Sequence, residues 1–504
     1  MFPDPLKVPS RGAGRKKTDR TSAPLSRRGF LCLTGSALGG WGLLGCSGLR
    51  LSMLGTGRDE VPIRPCGPAS RYTPTVKAAF VRRKGDYGIL WPGAIYDGEK
   101  ARRQYTAALR QAAEKLRVRL ELEPEPLYSA EEADRWLAEA KASRPDGLFV
   151  VLLDRQRHAW PTAGKAVESR IPTVVFAPVG TAFTTNTARH ADQTGVFIAS
   201  TDDFAHAAFG LRMLAVGARL RETRCIVLKG QNRRDSAIHG LGMKLRYVPA
   251  RDFLDEYNRT PTDERIRRIA AEYLRGAERV FGATEQDVLN GVKSYEVARR
   301  ILEREEGDAI TMDCLGALGG TKVSLPCISW SRMLDAGIPA ACEADLGAAV
   351  THALILYLFE RPGFQQDPVP ETARGCLIGA HCSCPTRLNG LDRPREPYYL
   401  SHHHGMRDAV PRTIWRKGQR ITIADMLLSE KPEEPHQMVI GTGTVVDNVS
   451  VPPSGGCVVS VLVRPDGQTN VLSYPGFHQL FFYGDYRNEL LAYCKLYGIR
   501  PVVA

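Results

Sequence analysis

The sequence has little that would seat it in a membrane. Its uncharged N-terminal run, residues 29–45, is rich in glycine and falls short of the roughly 20 residues that a helical span needs. It also lacks a basic stripe interleaved with aromatics, which argues against a nucleic-acid partner despite a formal charge of +13. Nearly half of that excess is confined to residues 1–46, and the rest is spread thinly. No internal repeat is visible. The twelve cysteines are not spaced as a disulfide framework. Cys382 and Cys384 stand one residue apart, poor geometry for bridging each other or for a zinc knuckle. Most cysteines therefore read as small core residues.

What is present begins with a targeting pattern. A basic stretch leads to Ser26-Arg27-Arg28-Gly29-Phe30-Leu31 and then to the uncharged run, the arrangement of a twin-arginine export signal. The run ends in Leu43-Leu44-Gly45-Cys46, which resembles a lipobox with Cys46 as the lipidated residue. The expectation is an exported protein, periplasmic or held to the membrane as a lipoprotein through Cys46. Export in the folded state would suit a chain that carries a metal.

At 504 residues the chain has room for roughly three folding units. Residues 1–46 form the signal, and residues 47–73, rich in Gly, Pro and Arg, form a linker. Over 74–185 short apolar strands alternate with amphipathic helices, among them one opened by the capping box Ser129–Glu132 and running to about Ser143. This predicts a doubly wound parallel-sheet α/β domain of Rossmann or flavodoxin type. A second α/β domain over 186–371 has a long helix capped by Asp202 and a strand that delivers Asp313 at its carboxyl end, where ligands gather in such sheets. From 372 to 504 short β-rich runs predict a small antiparallel β domain or barrel with a closing helix. The turn Pro452-Pro453-Ser454-Gly455-Gly456 belongs to it.

Three segments could carry chemistry. One is Asp313. The second is Glu343-Ala344-Asp345 before an apolar helix, where a carboxylate is favoured. The third is Pro475-Gly476-Phe477-His478, in which a glycine permits a sharp turn before a histidine. Taken singly, each suits a structural role, as cap or satisfied polar residue. Together, two carboxylates and an imidazole make a divalent-metal set suited to metal-assisted proton transfer beside a carbonyl.

The stretch Cys327-Ile328-Ser329-Trp330-Ser331-Arg332, with Asp335 to Pro339 and Ala341 to Asp345, resembles the central segment of L-fucose isomerase-like proteins, within the wider L-arabinose isomerase group. Gly476-Phe477-His478 with Tyr483-Gly484-Asp485 and the closing helix is similar to that family's C-terminal segment. The resemblance implies a metal-dependent aldose–ketose isomerase acting on a free sugar through an enediol. It implies Mn²⁺ held by Asp313, Asp345 and His478, with Asp313 and Asp345 as proton carriers. Asp313 stands where the family has a glutamate, one methylene longer. Glu343 is expected to orient the ligands or to cap the helix. His381, His403 within the His402–His404 cluster, and Trp330 are expected to contact the sugar; the alternatives are a polar loop for the histidines and core packing for Trp330. The resembled isomerases form rings, so a homo-oligomer is expected. The other reading, drawn from the export signal and Asp313, is a non-isomerase: an exported sugar-binding protein or another carbohydrate-active enzyme on the same fold.

Overall fold

The computed structural model describes residues 65–85, 89–90, 94–155, 158–403, 407–449, 459–467 and 470–504. The twin-arginine segment with Cys46, His404 and the turn at 452–456 lie outside them. Among the described residues no helix is long and apolar enough to cross a membrane, and every described cysteine is a free thiol.

The first sheet is wholly parallel. Its order is Arg119–Leu122, Thr75–Val81, Gly147–Leu152, Thr173–Phe176, Val196–Ala199. The apolar strand Gly147–Leu152 lies at its centre and is buried throughout, because helices cover both faces. Gly98–Leu116 and Phe204–Glu222 pack on one face. Ala130–Ser143 and Ala159–Glu168 pack on the other. Ser129 caps its helix as expected, its hydroxyl accepting from Glu132 N–H. The cap of Phe204–Glu222 is Asp203 rather than Asp202; the Asp202 carboxylate instead accepts from Val179 N–H.

The second sheet runs Ala340–Cys342, Ala309–Met312, Arg224–Leu228, Lys244–Val248, Arg234–Ala237, with only the last strand antiparallel. The helix Leu346–Phe359 leaves the edge strand of this sheet. It is apolar all round, as a helix buried on every side must be. Its residues pack toward both the second sheet and the barrel strands. Full burial of Leu354, Leu356 and Leu358 contributes about 1.5–3 kcal/mol each. Gly347 makes the close approach possible, since a Cβ there would collide with the Met426 carbonyl.

The β-rich part closes on itself. Strands Arg420–Leu427, Gln479–Tyr483, Phe364–Glu371, Cys376–His381, Val459–Pro465 and Gln437–Asn448 pair antiparallel in that order, and the last pairs back to the first. The result is a six-stranded barrel, which leaves no exposed edge among these strands. Its strand Phe364–Glu371 precedes residue 372, where the sequence texture changes, and carries Asp367 into the region of the site. The closing strand Arg500–Val503 adds in parallel to Gln437–Asn448.

Candidate metal centre

The site forms where the second sheet meets the barrel. Strand Ala340–Cys342 ends, and the next two residues, Glu343 and Ala344, adopt left-handed backbone at φ 61° and 54°. Each such non-glycine residue costs about 1–2 kcal/mol, a strain that is concentrated at functional sites. The turn brings two carboxylates to one place. Asp345 caps the helix Leu346–Phe359, with Oδ1 accepting from Ala348 N–H at 2.7 Å. Its other oxygen, Oδ2, lies 2.9 Å from His478 Nδ1.

That bond leaves His478 Nε2 free to face a ligand. Nε2 lies 3.3 Å from Asp367 Oδ1 and 3.5 Å from Glu343 Oε2, yet forms no proper hydrogen bond. His381 Nε2 stands 3.7 Å from Glu343 Oε1 and is likewise buried without a hydrogen-bond partner. Glu343, His381 and His478 each offer an atom within 4.8 Å of the others. Orphaned imidazole nitrogens beside carboxylates, with one histidine oriented from behind by Asp345, fit a bound divalent cation.

The electrostatics point the same way. Burial pulls the His478 imidazole down, but Asp345, Asp367 and Glu343 outweigh it and push it up to about 11. The His478 imidazole beside it holds the Glu343 carboxyl below its usual range. Burial would raise Asp345, but His478 and the Ala348 N–H hold it low. The surrounding carboxylates thus favour positive charge at this point. On the neighbouring barrel strand, burial pushes Asp425 up to about 6. His352, fully buried on the helix after Asp345, is pulled down to about 3 by desolvation and stays neutral.

Gly476 positions His478. Its φ is 87°, and a Cβ there would sit 2.7 Å from Asp425 Oδ2, which accepts from Phe477 N–H at 3.1 Å. Gly476→Ala is therefore expected to destabilise the fold by about 1–2 kcal/mol and to weaken metal binding as His478 moves. Thermal unfolding beside a metal titration checks both.

Behind Glu343 and His381 lies a cavity of about 180 Å³, lined also by Trp330, His403, Cys314, Cys327, Cys342 and Cys382. All three residues expected to contact substrate line it. Trp330 is fully buried with its Nε1 unpartnered among the described residues. Asp313 is placed differently from Glu343 and Asp345. It sits at the carboxyl end of its strand, where Met312 pairs with Cys342. Its carboxylate caps the short helix Cys314–Leu318 by accepting from Gly316 N–H, and it is not among the grouped ligand atoms. Asp367, Asp425 and His352 carry no signal in the sequence that would single them out. Asp367 lies in Phe364–Glu371 between a glutamine and a proline, a context with no ligand signature.

Fold and site together define the class: an α/β protein with an antiparallel barrel whose His, Glu and Cys groupings could hold a metal. No family model matches the sequence, and no curated protein matches it. Among solved structures the chain is similar to a XylFII–LytSN complex mutant, at 12% identity over 57% of this chain and 91% of that one, with a TM-score of 0.18. It is similar also to a sugar ABC transporter (sugar-binding protein) from Bacillus halodurans, at 18% identity over 57% and 89%, with a TM-score of 0.18. Likenesses at that TM-score carry no argument about fold or site.

Proposed function

We propose that the chain is an exported, metal-dependent ketol isomerase of the L-fucose isomerase-like type, acting on a free sugar. The observation that carries this reading is the set of carboxylates around His478, with imidazole nitrogens left without partners. Glu343, His381 and His478 would hold the ion, and Mn²⁺ suits a mixed carboxylate and imidazole set. Such an ion supplies polarisation of the substrate carbonyl. Asp345 fixes the His478 ring through Nδ1 and is tied by both oxygens. Asp367, whose Oδ1 is buried and takes no hydrogen bond, is the better-placed group to remove the proton beside the carbonyl and return it to the neighbouring carbon of the enediol. Asp313 would serve the turn at its strand end. Lipidation of Cys46 and assembly into a homo-oligomer belong to the same proposal.

The test is metal content by elemental mass spectrometry on wild type and His478→Ala, followed by ketose formation from a panel of aldoses in deuterated water. About one Mn²⁺ per chain, lost in the variant, with deuterium entering at the carbon beside the carbonyl, is the expected result. A metal-loaded chain that catalyses no exchange on any aldose would leave a second reading, a sugar-binding protein or other carbohydrate-active enzyme. One observation favours that second reading: the cavity wall is largely apolar side chains and thiols, a poor match for a polyol.

A further inference from the structure

Four thiols that the carboxylate centre does not use converge on the same cavity. Cys314 opens the short helix after strand Ala309–Met312, and Cys327 opens the helix Cys327–Asp335. Cys342 ends its strand, and Cys382 follows barrel strand Cys376–His381. All four are at most 5% exposed. The ligand atoms of Cys327, Cys382 and His403 lie within 4.8 Å of one another, and so do those of Cys342, Cys382 and His381. The Cys382 sulfur is common to both groups, in hydrogen-bond contact with Cys327 and with Cys342. Cys314 in turn contacts Cys342.

Cysteines used only as packing look different here. Cys225 and Cys494 sit among aliphatic side chains, away from any imidazole grouping. Two sulfurs from distant parts of the chain, Cys327 and Cys382, with the buried His403 beside them, have the composition of a thiolate–imidazole site. A tetrahedral ion takes sulfur at about 2.3 Å and nitrogen at about 2.0–2.1 Å, and the ligand atoms of Cys327, Cys382 and His403, within 4.8 Å of one another, are gathered about one such point.

We propose that Cys327, Cys382 and His403 hold a thiolate-seeking metal ion of the Zn²⁺ or Cu(I) class, separate from the carboxylate centre at His478. Cys342, grouped with Cys382 and His381 rather than with Cys327 and His403, lies outside this set, as does Cys314. His381 joins the two centres: its Nδ1 is 3.6 Å from Cys382 Sγ and its Nε2 is 3.7 Å from Glu343 Oε1. Ligand softness keeps the ions apart, since thiolates select Zn²⁺ or Cu(I) whereas carboxylates and waters accept Mn²⁺. The site is buried, so it would load as the chain folds. The inference does not depend on the isomerase reading.

The test uses the full chain produced in medium supplemented with Zn²⁺ alone or with copper alone, followed by elemental analysis and X-ray absorption at the edge of the bound metal. The expected spectrum shows sulfur neighbours at about 2.3 Å, from about one ion per chain. Whichever metal gives that sulfur shell identifies the class. Cys382→Ser is expected to lose this ion and keep a separately added Mn²⁺; His478→Ala is expected to do the reverse. The wild-type spectrum decides the matter even where Cys382→Ser fails to fold. A wild-type chain with no sulfur-bound ion in either medium, or a folded Cys382→Ser chain that keeps the same sulfur shell, overturns the proposal.

Discussion

Mn²⁺ binding is expected to tighten by about tenfold for each pH unit between roughly pH 7 and pH 10, because one proton must leave for each ion that enters. The proton is that of His478. In the metal-free chain the surrounding carboxylates push this imidazole up to about 11, so Nε2 carries a proton throughout that range. A metal ligand must be the neutral ring. The ion and the proton therefore compete for one nitrogen, and three pH units correspond to about a thousandfold in affinity. Calorimetric titration in buffers of different protonation heat should count close to one proton released per ion. An affinity that is flat with pH would mean that His478 is not a ligand.

The same group sets a stability trend with a definite sign. A pKa raised on folding from 6.5 to about 11 stabilises the metal-free fold fully below the lower value, and this contribution is lost as pH rises through the upper one. Metal-free protein should thus unfold more readily toward alkaline pH. Metal-loaded protein, in which the cation replaces the proton, should show the trend weakly or not at all. Thermal unfolding across that range, with and without Mn²⁺, checks the pair of slopes.

What could be read in the sequence was local. Glu343-Ala344-Asp345 stands at a strand-to-helix junction, and Gly476-Phe477-His478 at a turn, so each declares a positioned polar group within a few residues. The parallel first sheet was legible for a similar reason: its strands are apolar runs separated by amphipathic helices, one of them opened by the short-range capping signal at Ser129. The barrel was legible as antiparallel β structure, with a closed barrel one of two alternatives, but the pairings that close it were not. Closure depends on Phe364–Glu371 pairing with Gln479–Tyr483, far along the chain. Asp367 was hidden for that reason. Nothing around it distinguishes a ligand from a polar strand residue, and only the pairing brings it beside His478. The thiol cluster was hidden in the same way. Its four cysteines share no motif, and each taken alone is a small buried residue.

Asp367→Asn is expected to leave about one Mn²⁺ per chain while lowering turnover by 10²–10⁴-fold, the usual worth of a positioned acid–base group. The separation of these two effects is what assigns its role. Glu343, His381 and His478 already offer three ligand atoms within one small volume, so an ion keeps its shell when Asp367 loses its charge. Asp345 is a weaker candidate for moving a proton, because its oxygens are engaged by Ala348 N–H and by His478. Changing Asp345 should therefore act through the metal: Asp345→Asn frees the His478 ring and is expected to weaken metal affinity about 10–100-fold, as loss of an orienting carboxylate does. Measured together, the variants give opposite patterns, one poor in turnover with metal retained, the other poor in metal. If Asp367→Asn instead strips the ion from the chain, Asp367 is a ligand and the proton carrier must be sought elsewhere, with Asp425, held at about 6 by burial on the adjoining barrel strand, the next group to change.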